Sequence, residues 1–218
     1  MKEEKTKMKK ILVLTLLVLF LMTGVSYADN FTLNESGYVG GAVIGATFPN
    51  GSYYTVAAYY QMTFAGQTYM GYCVDYANIY WNTLYTNYTM ISVPNSGPNN
   101  SKGYVEAAYL FDKYGTQSST WGANVQIAIW TILFNPFTLL TYPSSVDPGT
   151  INSYVLEAYN HQNFDASAYR LLVSPNPNGY YGVGSQDFIV KTPEPGSLML
   201  LGAGLLFLGL FRRPRRAK

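Results

Sequence analysis

The chain has 218 residues, a formal net charge of +2 and a single cysteine. Its basic residues are concentrated at the two ends. Between residues 29 and 192, nine acidic side chains outnumber four basic ones, which leaves a net charge of −5. Such a region offers no basic surface for phosphate backbones, so nucleic acid is excluded as a partner.

The first 28 residues (1–28) have the pattern of a secretory signal peptide. A lysine-rich start precedes a mostly apolar run, Ile11 to Leu21, and the small residues Ser26 and Ala28 predict cleavage after Ala28. This run of eleven residues is short beside the roughly 20 apolar residues that a membrane-spanning helix needs. An uncleaved N-terminal anchor is the alternative.

The last 26 residues (193–218) combine three features in a fixed order. Pro193-Glu194-Pro195 comes first, an apolar stretch from Ser197 to Phe211 follows, and a basic cluster that includes Arg212 and Arg213 ends the chain. As a helix, the apolar stretch would span about 22 Å, which is short for a hydrocarbon core of about 30 Å. The basic cluster should stay cytoplasmic and place everything before it across the membrane.

This tail resembles the PEP-CTERM sorting signal of Gram-negative bacteria. The resemblance implies cleavage near the Pro-Glu-Pro segment by an exosortase, a membrane-embedded cysteine protease, in bacteria that make extracellular polysaccharide or biofilm matrix. It also implies a protein that is exported, anchored transiently in the inner membrane and then released to the cell envelope or outer surface. An ordinary single-span tail anchor is the alternative.

Residues 29–192 have the length of one domain with its own core. Two strand patterns, "GYVGGAVIGATF" and "SYYTVAAYYQMTF", flank the hairpin signal Pro49 to Gly51. After the turn in "FAGQT", the segment "YMGYCVDY" predicts a strand beside the second of these. Cys73 and Asp75 would share one face of that strand, with Tyr72 on the other face.

Helical patterns follow in the second half. One helix begins at Tyr104 and closes at Gly115, and another runs through "GANVQIAIWTILF" to Asn135-Pro136. A third is predicted from Thr150 as N-cap, with an apolar stripe that extends to Tyr159. Strands return with "YRLLVS" and "SQDFIV". The prediction is an α+β domain with an antiparallel sheet or sandwich and about three helices.

Tyrosine is abundant, with 21 residues in the chain. Tyrosines at alternate positions are typical of half-exposed strands, because the ring packs while the hydroxyl stays in water. Ordinary sheet surface is the favoured interpretation, and a stacking surface for glycans is the alternative.

Two residues of the predicted domain are unusual for their positions. Cys73 has no second cysteine to pair with, although exported proteins usually pair their cysteines. Gln126 lies on the second helix in the apolar segment "VQIAIW". A buried carboxamide must find hydrogen bonds or cost roughly 1 to 3 kcal/mol.

One reaction accounts for both residues. A cysteine thiolate attacks a glutamine carboxamide, ammonia leaves and an internal thioester remains. Such a bond lasts only where water is excluded, which aromatic neighbours such as Tyr72, Tyr76 and Trp130 would achieve.

The segments "YCVD" (72–75) and "VQIAIW" (125–130) resemble the thioester domains of bacterial surface adhesins, whose glutamine motif reads Thr-Gln-x-Ala followed by Ile-Trp. The resemblance implies a thioester between Cys73 and Gln126 that captures an amine of a target, a protein lysine or a polyamine. Capture consumes the bond, so the resemblance implies an adhesin without a cofactor rather than an enzyme. The motif assigns supporting positions to Tyr72, Asp75 and Trp130. Val125 departs from the family's threonine, and the best-known members come from Gram-positive cell walls.

Two alternatives remain open for this domain. Without the bond, the same fold would be a structural protein of the surface or of a polysaccharide biofilm matrix, with Cys73 as a small buried hydrophobe. A cysteine hydrolase would need His161, the only histidine, beside Cys73, and nothing in the spacing indicates that. One histidine and one cysteine do not make a zinc site, so no metal is expected.

Overall fold

The structure is a computed structural model that describes residues 28–49, 51–64, 66–75, 84–94, 103–115, 122–175 and 186–192. Most of the predicted signal peptide, Tyr76 and the sorting segment 193–218 lie outside the described residues, and the expectations for them stay predictions. Within the described ranges, no helix has the length and apolarity that a membrane crossing requires.

Strands dominate the first half of the domain, and the helices come before the last two strands. The strands are β1 (Ala28–Phe48), β2 (Gly51–Phe64), β3 (Gln67–Cys73), β4 (Leu84–Ser92), β5 (Thr138–Thr141), β6 (Tyr169–Val173) and β7 (Phe188–Lys191). The helices are α1 (Tyr104–Tyr114), α2 (Gly122–Leu133) and α3 (Pro148–Tyr159). The predicted α+β class, with an antiparallel sheet and three helices, is confirmed.

The strands form one antiparallel sheet in the order β2-β3-β7-β6-β4-β1-β5. An additional pairing between β1 and β2 closes a ring that contains every strand of this order except β5. Strand β5 extends the sheet from β1. Closure depends on the 21 residues of β1. This strand pairs with β2 along most of its length, with β4 near its start and with β5 near its end.

The predicted β1–β2 hairpin is confirmed, because Phe48 pairs with Gly51 across the turn. Cys73 lies on β3 beside β2, as expected. The pairing of these two strands nevertheless ends where Tyr60 meets Gly71, two residues before Cys73. β3 itself ends at Cys73, so Asp75 follows the strand rather than continuing it.

Three details of the prediction are wrong. The strands β4 and β5 were not expected: the four residues of β5 are too few to show a period of their own, and β4 is held by long-range pairing with β1 and β6. The N-cap of α3 is Asp147, whose carboxylate accepts from the backbone N–H of Gly149 at 3.0 Å. Thr150 lies within this helix and donates its hydroxyl to Asp147. Tyr159 is 46% exposed, so the buried stripe ends at Ala158.

The helices cover one face of the sheet with aromatic contacts. Trp130 of α2 packs edge-on against Phe48 with ring centroids 5.3 Å apart. Tyr72 of β3 lies against Phe111 of α1 at 5.2 Å. Because neighbouring residues of a strand point to opposite faces, the Cys73 side chain projects away from the helices, toward the inside of the ring.

Many tyrosines belong to the core rather than to a half-exposed sheet surface. Tyr60, Tyr72, Tyr88 and Tyr169 are at most 1% exposed. Burial of such rings is favourable where the hydroxyl finds a partner. The hydroxyl of Tyr88, for example, donates to the backbone carbonyl of Gln186 at 2.8 Å.

Candidate functional site

The structure joins Cys73 and Gln126, the two residues that the sequence singled out. The backbone N–H of Cys73 donates to Oε1 of Gln126 at 2.8 Å. The Nε2 group of Gln126 donates back to the carbonyl oxygen of Cys73, also at 2.8 Å. Both residues are completely buried. The carboxamide of Gln126 therefore meets the backbone of a cysteine 53 residues away in the chain, in a buried site.

The backbone of Cys73 is available to Gln126 because of the strand pairing around it. In an antiparallel pair, successive residues direct their N–H and C=O groups to opposite sides. Val74 donates its N–H to Asp187 at 3.0 Å, on the β7 side, so the polar backbone groups of Cys73 point to the β2 side. β2 has already left β3 at this point, and Gln126 takes the place of the missing strand.

Three hydrogen bonds hold Asp75 immediately after β3. Its backbone carbonyl accepts from Nε1 of Trp130 at 3.0 Å and from Nε2 of Gln186 at 2.9 Å. Its carboxylate accepts the backbone N–H of Asp187 at 2.9 Å. Trp130 therefore ties α2 to the chain beyond Cys73, one helical turn after Gln126 ties the same helix to Cys73 itself.

The structure describes two of the three aromatic residues that were predicted to exclude water from the site, and these two pack in different places. Tyr72 is fully buried between Phe111 and Tyr59, with the Tyr59 ring centroid 4.9 Å away. Trp130 is 2% exposed and closes the site on the α2 side. Tyr76 lies outside the described residues.

Sequence reasoning missed Tyr60, which contacts the sulfur side of the site. Its hydroxyl is hydrogen-bonded to the Cys73 side chain and also donates to the carbonyl oxygen of Val56 at 2.6 Å. The alternation of side chains along β2 and β3 is a signal that could have identified Tyr60. Tyr60 pairs with Gly71, and Cys73, two residues after Gly71, lies on the same face of the sheet.

The surroundings of Cys73 disfavour its thiolate form. Complete burial raises the pKa of the Cys73 thiol well above its usual range, and the nearby Asp75 carboxylate raises this pKa further. The hydrogen bond between the Cys73 side chain and the Tyr60 hydroxyl lowers this pKa and so acts in the opposite direction. The unreacted thiol is therefore protonated at neutral pH.

His161 has other partners. Its ring stacks on Tyr109 with centroids 4.1 Å apart, and Nδ1 is 2.8 Å from the carbonyl oxygen of Glu157. The side chain is exposed at the end of α3, whereas Cys73 is completely buried. Among the described residues, no hydrogen bond links His161 to Cys73, so the structure does not assemble the pair that a hydrolase would need.

Comparison with known proteins identifies the C-terminal segment. A family model described as the PEP-CTERM protein-sorting motif matches residues 191–216, which include Pro193 to Pro195, Arg212 and Arg213. No curated protein and no solved structure matches the chain. The motif implies processing by an exosortase and a stay in the membrane during sorting. The chain is therefore an exported protein that carries a PEP-CTERM sorting signal.

Proposed function

We propose that residues 29–192 capture amines covalently through an internal thioester between Sγ of Cys73 and Cδ of Gln126. The observation that carries the proposal is the pair of 2.8 Å hydrogen bonds between Gln126 and the backbone of Cys73. These bonds bring the carboxamide to the residue that bears the chain's only thiol, in a buried site.

The hydrogen bonds also favour the reaction chemically. The Cys73 N–H polarises the Gln126 carbonyl and would stabilise the oxyanion that forms when sulfur attacks Cδ. The Sγ–Cδ bond then forms, the Cδ–Nε2 bond breaks, and the thiol proton leaves with nitrogen as ammonia. Complete burial protects the resulting thioester from hydrolysis.

Capture of a target runs this reaction in the opposite direction, with an amine of the target in place of ammonia. An amine of the target attacks Cδ of Gln126, Cys73 leaves and a stable amide joins the two molecules. We propose a protein lysine or a polyamine as the target and the outer surface of a Gram-negative bacterium as the place. The PEP-CTERM signal supports a location outside the cell because it implies export with exosortase sorting at a membrane.

The experiment is an intact-mass measurement of the exported protein. Loss of ammonia lowers the mass by about 17 Da, and methylamine should then add its own mass at Gln126. Gln126→Ala should show neither change. Gln186→Ala is the matched control, because it also removes a buried carboxamide near Asp75 yet should retain both changes.

A protein of full mass that ignores methylamine would contradict the proposal. It would favour a second candidate, a non-reactive structural module of the surface or biofilm matrix. One observation supports that candidate: the same two hydrogen bonds satisfy the backbone of Cys73 and the carboxamide of Gln126 without any reaction.

A further inference from the structure

Tyr60 links the Cys73 sulfur to the backbone of β2. It is fully buried, and its ring lies edge-on to Phe188 at a centroid distance of 6.1 Å. Its hydroxyl is hydrogen-bonded to the Cys73 side chain and donates to the Val56 carbonyl at 2.6 Å. A phenol hydroxyl has one proton to donate, and rotation about the C–O bond can direct it to either partner.

The sulfur needs such a donor at two moments. It must develop negative charge when it attacks Gln126, and it receives the electron pair of the Cδ–Sγ bond when an amine opens the thioester. Both events take place inside an apolar core, where an unpaired charge is costly. The neighbouring Asp75 carboxylate adds to that cost, and a hydrogen-bond donor at the sulfur would offset part of it.

We infer that the Tyr60 hydroxyl turns from Val56 to donate a hydrogen bond to the Cys73 sulfur whenever that sulfur carries negative charge. The inference rests on the proposed thioester. When an amine opens the bond, its nitrogen joins Cδ, the electron pair of Cδ–Sγ goes to sulfur, and the proton lost by the amine ends on Sγ. Tyr60 stabilises the charged sulfur between these events and returns to Val56 afterwards.

The test compares two substitutions in the exported protein. Tyr60→Phe keeps the ring against Phe188 and removes the hydroxyl. Tyr88→Phe is the matched control, because Tyr88 is also fully buried and its hydroxyl also donates to a backbone carbonyl. The measurement is the rate at which methylamine adds to protein that has already lost ammonia.

We expect Tyr60→Phe to take up methylamine about ten- to a hundredfold more slowly than the wild type, the effect of losing one hydrogen bond to a charged group. Tyr88→Phe should react at the wild-type rate. A third protein carries 3-fluorotyrosine at position 60, which preserves the shape and strengthens the donor. It should react at least as fast as the wild type. If Tyr60→Phe does not fold, the rate of methylamine addition to the 3-fluorotyrosine protein tests the inference instead.

Three results would overturn the inference, and they show whether the role of Tyr60 alone or the thioester itself is wrong. Equal rates for wild type and Tyr60→Phe, or a slower rate with 3-fluorotyrosine, would remove the role of Tyr60 and leave the thioester in place. A wild-type protein of full mass would remove the thioester and the role of Tyr60 together.

Discussion

Gln126 hydrogen-bonds both polar backbone groups of Cys73 and so acts as the neighbouring strand that β3 lacks at this residue. The contact fixes α2 against the end of β3. One helical turn later, Trp130 makes a second link between α2 and this part of the chain by donating to the carbonyl of Asp75. A structural role and a chemical role therefore depend on the same carboxamide, and different measurements separate them.

The structural role predicts that Gln126→Ala destabilises the domain. The substitution leaves the buried N–H and C=O of Cys73 without partners, each at a cost of about 1 to 3 kcal/mol. We expect the free energy of unfolding to fall by about 2 to 5 kcal/mol, measured by urea denaturation of unreacted protein. Gln67→Ala, at an exposed position of β3, is the control: its carboxamide accepts a hydrogen bond from the Tyr69 hydroxyl at 3.0 Å but satisfies no buried backbone group, so the free energy of unfolding should fall much less. An unchanged midpoint for Gln126→Ala would contradict this role.

The chemical role predicts attachment that survives denaturant. Wild-type protein bound to amine-bearing beads should remain after a wash in concentrated guanidinium, because an amide bond does not depend on the fold. Cys73→Ala and Gln126→Ala should each abolish the resistant fraction, since each removes one end of the thioester.

The same assay distinguishes the thioester mechanism from the hydrolase alternative. His161→Ala should attach as the wild type does, because His161 contacts Tyr109 and Glu157 rather than Cys73. Equal loss of attachment in His161→Ala and Cys73→Ala would favour a joint role for the two residues. Resistant attachment by Gln126→Ala at the wild-type level would defeat the thioester mechanism.

The hydrogen bonds around Glu157 of α3 predict that the free energy of unfolding of the domain depends on pH. Burial alone would raise the pKa of its carboxyl group, but hydrogen bonds from Lys113, Tyr109 and Tyr114 of α1 outweigh burial and lower the pKa to about 2. A pKa below the usual value of 4.5 for a glutamate means that the charged form stabilises the folded state. This contribution is complete above about pH 4.5 and is lost as the pH falls toward 2.

We therefore expect Glu157→Gln to be less stable than the wild type at pH 6 and to approach it at pH 2.5. Urea denaturation at several pH values measures the difference between the two proteins. Asp165→Asn is a useful comparison: Asp165 also has a lowered pKa, but its hydrogen bonds lie within its own turn, to Ser167, so the difference from the wild type should change with pH in the same direction and by a smaller amount. A difference between wild type and Glu157→Gln that stays constant over this range would contradict the prediction.

The sorting signal predicts a shortened product in the native host. We expect the mature protein to end near Pro193-Glu194-Pro195 and to lack the basic cluster, because the motif implies exosortase processing. Peptide mass spectrometry of the surface fraction from the native host tests this. Intact peptides that cover Leu210 to Arg215 in the surface fraction would indicate a permanent anchor instead.

The sequence alone predicted the features that short-range patterns encode. The hairpin at Pro49 to Gly51 and the helices around Tyr104 and Gln126 depend on turn chemistry and on the 3.6-residue period, both of which are local. The PEP-CTERM signal is a linear pattern and needs no fold to be recognised. Cys73 and Gln126 were also found in the sequence, because each is an unusual residue for its own segment.

Only the tertiary structure decided how these parts meet. The closed ring of strands depends on β1 pairing with both β2 and β4, and no local pattern specifies that register. The backbone groups of Cys73 are available to Gln126 because β2 leaves β3 after Tyr60, a consequence of long-range pairing. The position of Tyr60 at the sulfur follows from the same departure. The sequence therefore determined which residues are unusual, whereas the packing of distant strands determined what each one contacts.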